Sequence, residues 1–213
     1  IPVGIVPDST LKAKRIPESK RTFGKVIAVA RIAPEKRLTD LVKAINIVKK
    51  EVPEVTLDLY GYADSSNNYQ AKRQVIELVN KYGLQDAVKL KGYTNHVDQV
   101  YDDAQIFGLT STMEGFDLAI MEAISHGVVG VTYDVNYGPN DIIQTGKNGY
   151  VVDYNDYHAV ADRMIKLFKD KKLMQKMSDG AYDSARRYSP DNVWKDWKAL
   201  LDDADATLEG GDR

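Results

Sequence analysis

Residues 114–127 read EGFDLAIMEAISHG, and this segment decides how the chain is interpreted. Two glutamates, Glu114 and Glu122, bracket seven residues, and the apolar stretch that follows Gly115 is typical of a helix. A helix N-terminus beside two carboxylates can hold a phosphorylated sugar, because backbone amides face the phosphate and carboxylates accept hydrogen bonds from hydroxyls. The segment therefore predicts a nucleotide-sugar site.

The spacing of the two glutamates is weak support by itself. Glutamates this far apart are common by chance, and on an uninterrupted helix their side chains would point about 80° apart. Position favours the pair, since Glu114 precedes the predicted helix and can face a bound sugar, while Glu122 lies about one turn inside and can accept both hydroxyls of a ribose. We expect four residues after Glu114 to contact the same ligand: Gly115, Phe116, Asp117 and Leu118.

The chain around this segment alternates between strands and helices. Apolar runs predict strands at residues 26–30, 55–60, 88–90, 106–109, 128–132 and 150–152. Helical periodicity predicts helices at residues 39–50, 69–82, 97–103 and 118–126 between them, and at 159–169, 173–188 and 191–203 after the last strand. This order predicts an α/β fold, a Rossmann-like parallel sheet flanked by helices, with extra C-terminal helices.

Three parts of the chain are expected. Residues 1–24 are interpreted as a connector and loop from a missing N-terminal domain, because the start is extended, rich in proline and without an initiating Met. The basic stretch at residues 12–21 is interpreted as solvated surface. Residues 25–203 form the predicted nucleotide-sugar domain, and residues 204–213 a disordered tail. The last helix is amphipathic through Trp194 and Trp197, which predicts a surface for the missing domain.

Composition excludes several classes of protein. The 213 residues fit one large domain or two small ones, and there is no cysteine, which agrees with a reducing cytoplasm. Lysine and arginine number 29 against 31 acidic residues, so no net field favours nucleic acid. No apolar run is long enough to span a bilayer. We expect a soluble, cytoplasmic domain, with any peripheral membrane contact made through the missing part.

Further candidates follow the predicted strands, where doubly wound sheets bind their ligands. Arg31 and Lys36 follow the first strand and could clamp the two phosphates of a nucleotide diphosphate, although surface loops often carry such residues. Gly61 follows the second strand and allows close backbone approach. Tyr93 and Thr94 follow the third and could offer backbone groups and a ring edge to a nucleobase, but an ordinary turn explains them equally well.

No metal or cofactor is predicted. The one Asp-x-Asp motif, Asp203 to Asp205, lies in the acidic tail and is interpreted as surface. His126 lies beside Gly127 and is expected to complement a helix C-terminus, and His158 is expected to be exposed. His96, near the Tyr93 turn, is the histidine that could touch a ligand.

These features together resemble a known family. Arg31 with Lys36, the EGFDLAIME segment and the strand order resemble the C-terminal, donor-binding half of retaining GT-B glycosyltransferases of family 4, over nearly the whole chain. The resemblance implies that Arg31 and Lys36 hold the donor diphosphate, that Glu114 faces the donor sugar and that Glu122 binds the ribose. Residues 132–139 are similar to a narrower subgroup that contains poly(glycerol-phosphate) α-glucosyltransferases and transferases acting on teichoic acids or serine-rich adhesins.

The resemblance also implies a reaction. A glycosyl group would be transferred with retention of configuration from UDP-glucose or UDP-GlcNAc to a glycan, a polyol phosphate or a protein. Negative charge would grow on the leaving diphosphate, where Arg31, Lys36 and the amides near Gly115 would stabilise it without a metal. Because the acceptor would bind largely to the missing N-terminal domain, this chain alone is expected to bind a uridine nucleotide weakly and to transfer nothing.

Departures from the family pattern leave two alternatives open. The family has glycine where Asp117 stands, and a carboxylate there could grip sugar hydroxyls or repel the diphosphate. Gly127-Val128-Val129 and Asp141 also differ from the usual residues. One alternative is a non-catalytic nucleotide-sugar binding module, which Asp117 favours. The other is a sugar-nucleotide epimerase of the same fold, which the cation pair and the two glutamates argue against.

Overall fold

The structure, a computed structural model, describes residues 2–65 and 69–210. Six strands form one sheet in the order β3-β2-β1-β4-β5-β6, and every neighbouring pair is parallel. The strands are β1 Lys25–Val29, β2 Thr56–Tyr60, β3 Val88–Gly92, β4 Ile106–Leu109, β5 Val129–Tyr133 and β6 Gly149–Val152. The predicted Rossmann-like α/β fold is confirmed.

Helices cover both faces of this sheet. They are α1 Asp8–Lys12, α2 Leu38–Glu51, α3 Gln70–Tyr82, α4 Val97–Asp103, α5 Leu118–Ser125, α6 Pro139–Ile142, α7 Tyr157–Lys169, α8 Lys171–Ala185 and α9 Pro190–Gly210. Short 3₁₀ turns occur at Glu18–Lys20, Pro34–Lys36 and Arg186–Tyr188. No helix in the described ranges combines the length and the apolar character needed to cross a bilayer.

The core has two layers, one on each face. One layer joins the sheet to α2, α3 and α7, and the other joins it to α4, α5 and the second half of α8. All residues of β4 and β5 are buried, which explains why these strands read as continuous apolar runs rather than as an alternating pattern. Burial on both faces therefore fixes the centre of the sheet and the direction of the loops that leave it.

The strand order reverses between β1 and β4, and the loops after these two strands lie side by side at the carboxyl edge. The backbone N–H of Thr112 donates to the carbonyl of Glu35 at 2.8 Å, and the Thr110 hydroxyl donates to the carbonyl of Arg37 at 3.0 Å. Doubly wound sheets bind ligands at such a reversal. The fold thus brings the predicted cation loop against the predicted glutamate loop.

The N-terminal segment packs on the domain rather than leading away from it. The Val6 side chain belongs to the core, and its backbone N–H donates to the carbonyl of Tyr188 at 2.8 Å. The Trp197 indole N–H donates to the carbonyl of Pro2 at 3.1 Å, so Trp197 is half-buried, whereas Trp194 on the same helix is 68% exposed. The boundaries proposed for a connector at residue 24 and a domain ending at residue 203 stay predictions.

The expectation for the basic stretch near the start of the chain was wrong. Residues 12–21 are not merely solvated surface, because the Arg21 guanidinium is buried and donates to the carbonyls of Tyr101 at 2.9 Å and Ala104 at 2.8 Å. Its Nε also lies 3.0 Å from a carboxylate oxygen of Glu18. A helix C-terminus leaves carbonyls without donors, and Arg21 supplies them for α4. Helix α9 extends through residue 210, and the alanines at positions 204 and 206 favour its continuation. The disordered tail expected at residues 204–213 stays a prediction, and residues 211–213 lie outside the described residues.

The buried contacts of Arg21 with Glu18 and the end of α4 predict a large effect of Arg21 on stability. The substitution Arg21→Met keeps the aliphatic stem but removes the cation beside Glu18 Oε1 and the donor to the α4 carbonyls. We expect the free energy of unfolding to fall by about 3–5 kcal/mol in urea titrations. The matched control is Arg15→Met, which removes an exposed ion pair with Asp183. It should change the free energy of unfolding by less than about 0.5 kcal/mol. Equal effects of the two substitutions would contradict this role of the buried contacts.

Candidate functional site

The centre of the site is an ion pair between Lys36 and Glu114. The Lys36 Nζ atom lies 2.7 and 2.9 Å from the two carboxylate oxygens of Glu114. The side chains are only 17% and 9% exposed, so the pair is shielded from solvent more than ordinary surface pairs are. Lys36 ends the 3₁₀ turn after β1, and Glu114 lies in the loop between β4 and α5. The fold therefore brings these two predicted site residues together.

Arg37 anchors the turn that carries Lys36. Its backbone has φ +43°, and its guanidinium lies 2.9 Å from Asp40 Oδ2 and 2.9 Å from the Tyr154 hydroxyl. The Tyr133 hydroxyl donates to the same Asp40 oxygen at 3.2 Å, and burial together with the Asp40 charge raises the pKa of Tyr133. A left-handed non-glycine residue persists only where its surroundings hold it. Contacts from three elements thus fix the position of Lys36.

Arg31 does not join the ion pair in this structure. Its side chain is 63% exposed and lies 2.6 Å from a carboxylate oxygen of Glu35 and 3.5 Å from one of Asp64. Exposed ion pairs contribute little free energy, so this guanidinium can exchange its partners at small cost. Lys36 and Arg31 thus pair with different carboxylates, and their joint contact with a diphosphate stays a prediction.

Asp117 caps helix α5. Its carboxylate accepts a hydrogen bond from the backbone N–H of Ile120 at 3.1 Å, and its side chain is almost completely buried. Burial, with the nearby charge of Glu114, raises the pKa of Asp117 to about 6. The sequence left open whether this carboxylate grips a sugar or repels a diphosphate, and the structure adds a structural role. An aspartate directly before an apolar helix is a recognised N-cap signal, so the sequence contained this information.

Glu122 lies in the second turn of α5, as predicted, and is half-buried. Its Oε2 accepts a hydrogen bond from the hydroxyl of Tyr101, on α4, at 3.0 Å. Sequence reasoning missed Tyr101, because a single tyrosine on another helix gives no local signal that it contacts a glutamate far along the chain. Glu122 is thus held by a residue of α4 rather than by the Lys36 and Glu114 pair.

Two positions near the site need glycine because another part of the backbone lies too close for a side chain. A Cβ atom on Gly138, whose φ is +76°, would lie 1.9 Å from the carbonyl oxygen of Gly115, so the loop after β5 supports the loop that carries Glu114. A Cβ atom on Gly61, whose φ is +135°, would lie 2.0 Å from the carbonyl oxygen of Ala30. The close approach predicted at Gly61 is therefore an approach to another strand end, and its contact with a ligand stays a prediction.

The side chains of Phe116 and Leu118 face the N-terminal segment. A Cβ atom on Gly4 would lie 2.8 Å from the Phe116 ring and 2.6 Å from a Leu118 methyl group. The Phe116 ring also packs edge to face on Tyr188, with centroids 5.5 Å apart. Leu118 is nevertheless 49% exposed, and contact of Phe116, Leu118 or Gly115 with a ligand stays a prediction.

Tyr93 and Thr94 lie at the mouth of an open cleft of roughly 440 Å³ beside β3 and α4. The Tyr93 ring stacks on the ring of Tyr62 with centroids 4.9 Å apart and planes 6° apart, and both rings are exposed. The Thr94 hydroxyl accepts a hydrogen bond from the backbone N–H of His96 at 3.0 Å, which is ordinary turn geometry. Both predicted base contacts remain accessible and stay predictions.

Other polar side chains near these residues have structural partners. His126 places Nδ1 at 2.7 Å from a carboxylate oxygen of Asp102, so its ring joins α5 to α4. Across residues 2–65 and 69–210, no three His, Cys, Asp or Glu side chains form a group that could hold a metal. A separate cleft of roughly 360 Å³ lies at the opposite edge of the sheet, between Arg21 and Phe168.

The raised pKa of Asp117 predicts a pH dependence of stability. Between the unfolded value of about 3.8 and the folded value of about 6, the native state binds the proton more tightly than the unfolded state. The free energy of unfolding should therefore fall by about 2–3 kcal/mol as pH rises from 4 to 7, and Asp117→Asn should remove this component. Urea titrations between pH 4 and 7 measure this fall in the free energy of unfolding. The control is Asp156→Asn, which changes the less buried cap of α7. Parallel pH profiles for parent and Asp117→Asn would contradict the shift.

Comparison with known proteins connects this geometry to a family. Residues 10–184 match the family described as Glycosyl transferases group 1. The chain is 37% identical over 177 residues to a poly(glycerol-phosphate) alpha-glucosyltransferase of Bacillus subtilis (strain 168), covering 83% of this chain and 25% of that protein. It is 31% identical over 206 residues to the GtfA subunit of a UDP-N-acetylglucosamine–peptide N-acetylglucosaminyltransferase of Streptococcus gordonii, covering 93% and 39%. The chain thus spans at most about two fifths of these relatives.

A solved structure agrees with the sequence comparison. The pneumococcal O-GlcNAc transferase GtfA, solved in complex with UDP and GlcNAc, superposes with a TM-score of 0.80 at 28% identity. The superposition covers 95% of this chain and 39% of that one. Fold and sequence lead to the same conclusion: the chain belongs to the glycosyl transferases group 1 and has the α/β fold of a C-terminal domain of the GT-B type.

Proposed function

We propose that this chain is the donor-binding domain of a retaining glycosyltransferase that uses a UDP-linked sugar. The observation that carries the proposal is the shielded ion pair of Lys36 and Glu114 at the reversal of strand order. An ammonium group suits a diphosphate, and a carboxylate suits sugar hydroxyls. The relatives add support, since both are named as sugar transferases and one name includes UDP-N-acetylglucosamine.

The proposed donor is UDP-glucose or UDP-GlcNAc. The Bacillus relative is named as a glucosyltransferase, and the GtfA structure holds UDP and GlcNAc. In this chain Glu122 is proposed to accept hydrogen bonds from the ribose hydroxyls. Tyr93 and Thr94, at the accessible end of β3, are proposed to contact the base.

The proposed chemistry is charge stabilisation around a breaking glycosidic bond. As the bond between the anomeric carbon and the diphosphate oxygen breaks, negative charge grows on the diphosphate. Lys36 Nζ, the backbone amides near Gly115 and an Arg31 side chain released from its exposed carboxylate partners would stabilise that charge more in the transition state than in the ground state. Glu114 would hold hydroxyls of the donor sugar. In this proposal the protein supplies the positive charge and no metal is needed.

The acceptor is proposed to be a hydroxyl group of a glycan, of a protein or of a polyol phosphate such as a teichoic acid. It would bind largely to parts of the polypeptide outside this chain, with the exposed face of α9 around Trp194 as a contact surface. The chain alone would then bind a uridine nucleotide weakly and transfer nothing. A cytoplasmic location likewise belongs to the proposal.

A non-catalytic nucleotide-sugar binding module is the second candidate. It is favoured by the position of Asp117, whose carboxylate lies close enough to Glu114 for their charges to interact. The helix cap formed by Asp117 weakens this alternative, because it gives the carboxylate a role that does not require loss of activity. The two candidates differ in whether product forms.

A transfer assay separates the two candidates. Full-length protein carrying this domain is incubated with radiolabelled UDP-glucose or UDP-GlcNAc and poly(glycerol phosphate), and the product is examined by NMR for retained configuration. We expect product, and a fall in kcat of about 10²–10³ for Lys36→Ala, because a group that stabilises transition-state charge is lost. Lys172→Ala, on the exposed surface of α8, should leave kcat unchanged. Donor binding without product would support the binding module.

Nucleotide binding tests the ribose assignment. Glu122→Ala should weaken UDP binding to this chain by about 1–3 kcal/mol in calorimetric titrations, because ribose hydroxyls lose their acceptor. Glu77→Ala, an exposed glutamate on α3, is the control and should bind UDP as the parent does. Unchanged affinity in Glu122→Ala would show that this carboxylate does not contact the ribose.

A further inference from the structure

Helices α4 and α5 are joined through one buried hydroxyl. Tyr101, on α4, has no exposed surface, and its hydroxyl donates to Glu122 Oε2 at 3.0 Å. Burial and the Glu122 charge raise the pKa of Tyr101, so the hydroxyl keeps its proton and remains a donor. A buried hydroxyl without a partner is costly, and here the Glu122 carboxylate is its acceptor.

Tyr101 is itself held on several sides. Its carbonyl accepts a hydrogen bond from the Arg21 guanidinium at 2.9 Å, which fixes the backbone at the end of α4. Its ring lies against the rings of Phe107 and His126, with centroids 6.5 and 5.5 Å away. The position of the hydroxyl is therefore set by the fold and does not depend on Glu122.

Glu122 is constrained at one oxygen only. Within the described residues its Oε2 bonds to Tyr101, while Oε1 makes no hydrogen bond or ion pair. The last torsion of a glutamate side chain is broad, so an unconstrained carboxylate would sample many orientations. Fixing one oxygen selects the orientation of the other, which has free lone pairs on a side chain that is only half-buried.

We propose that Tyr101 is a positioning residue for ribose recognition: its hydroxyl holds one Glu122 oxygen so that the other is oriented, before ligand arrives, to accept from a ribose hydroxyl. The inference rests on the proposed function of Glu122. Its physical basis is preorganisation, because the rotational freedom of the carboxylate is lost on folding and is not lost again on binding.

The test is discrimination between ribose and deoxyribose. UDP, 2′-deoxy-UDP and 3′-deoxy-UDP are titrated calorimetrically into the parent and into Tyr101→Phe, which keeps the ring and removes the hydroxyl. The parent should prefer UDP over the analogue that lacks the bound hydroxyl by about tenfold or more. Tyr101→Phe should bind UDP about three- to tenfold more weakly, whereas its affinity for the analogue without the bound hydroxyl should change little. The ratio of the two affinities should therefore be smaller than in the parent.

Two controls separate positioning from general loss of structure. Tyr133→Phe removes another buried tyrosine hydroxyl bonded to a carboxylate, that of Asp40, and should keep the parent's ratio. In the background Glu122→Ala, adding Tyr101→Phe should cause no further loss of UDP affinity, because the two residues act as one unit. Thermal melting of each variant confirms that it is folded.

The outcomes are distinguishable. Equal weakening of UDP and both analogues by Tyr101→Phe, or no weakening, would overturn the positioning role while leaving the proposed function intact. A further loss on adding Tyr101→Phe to Glu122→Ala would also overturn it. A parent that binds no UDP at millimolar concentration would overturn both this inference and the proposed function.

Discussion

The reversal of strand order between β1 and β4 is the constraint on which the candidate site depends. It makes the loop of Lys36 and the loop of Glu114 neighbours, and the hydrogen bond from Thr112 N–H to the Glu35 carbonyl holds them together. Because both strands are buried in the centre of the sheet, neither loop can shift without disturbing the core. Residues 78 positions apart in the chain thereby become a contact of 2.7 Å.

Most contacts that support the candidate site come from outside residues 114–127. Arg37 fixes the Lys36 turn through Asp40, and Gly138 lets another loop pack on the carbonyl of Gly115. Asp117 caps the helix that carries Glu122, so one carboxylate shapes the backbone while the other bonds to the Tyr101 hydroxyl. Binding residues on loops need such rigid support to keep their geometry.

The sequence predicted what is local and missed what is distant. Strands such as residues 106–109 and the helix at 97–103 were predicted with their observed bounds, since apolar periodicity is a local signal. The proximity of the loops after β1 and β4 followed from the predicted fold class. Arg21 and Tyr101 were missed because the carbonyls that Arg21 bonds and the carboxylate that Tyr101 bonds lie at least 21 positions away, and no spacing rule relates such residues. Arg31 was correctly placed on its loop, but the direction of an exposed side chain is not encoded by a pattern.

The ion pair of Lys36 and Glu114 has a consequence for how an anion enters this site. The Lys36 ammonium already has a negative neighbour, so in the proposed function a diphosphate would replace the Glu114 carboxylate as its partner instead of meeting an unpaired positive charge. The displaced carboxylate must then find new donors or remain unpaired in a shielded place, which is unfavourable. A sugar attached to the diphosphate brings hydroxyl groups that meet this need, whereas a bare nucleotide does not. The ion pair would thus favour binding of the nucleotide sugar over binding of the nucleotide product, which would ease product release.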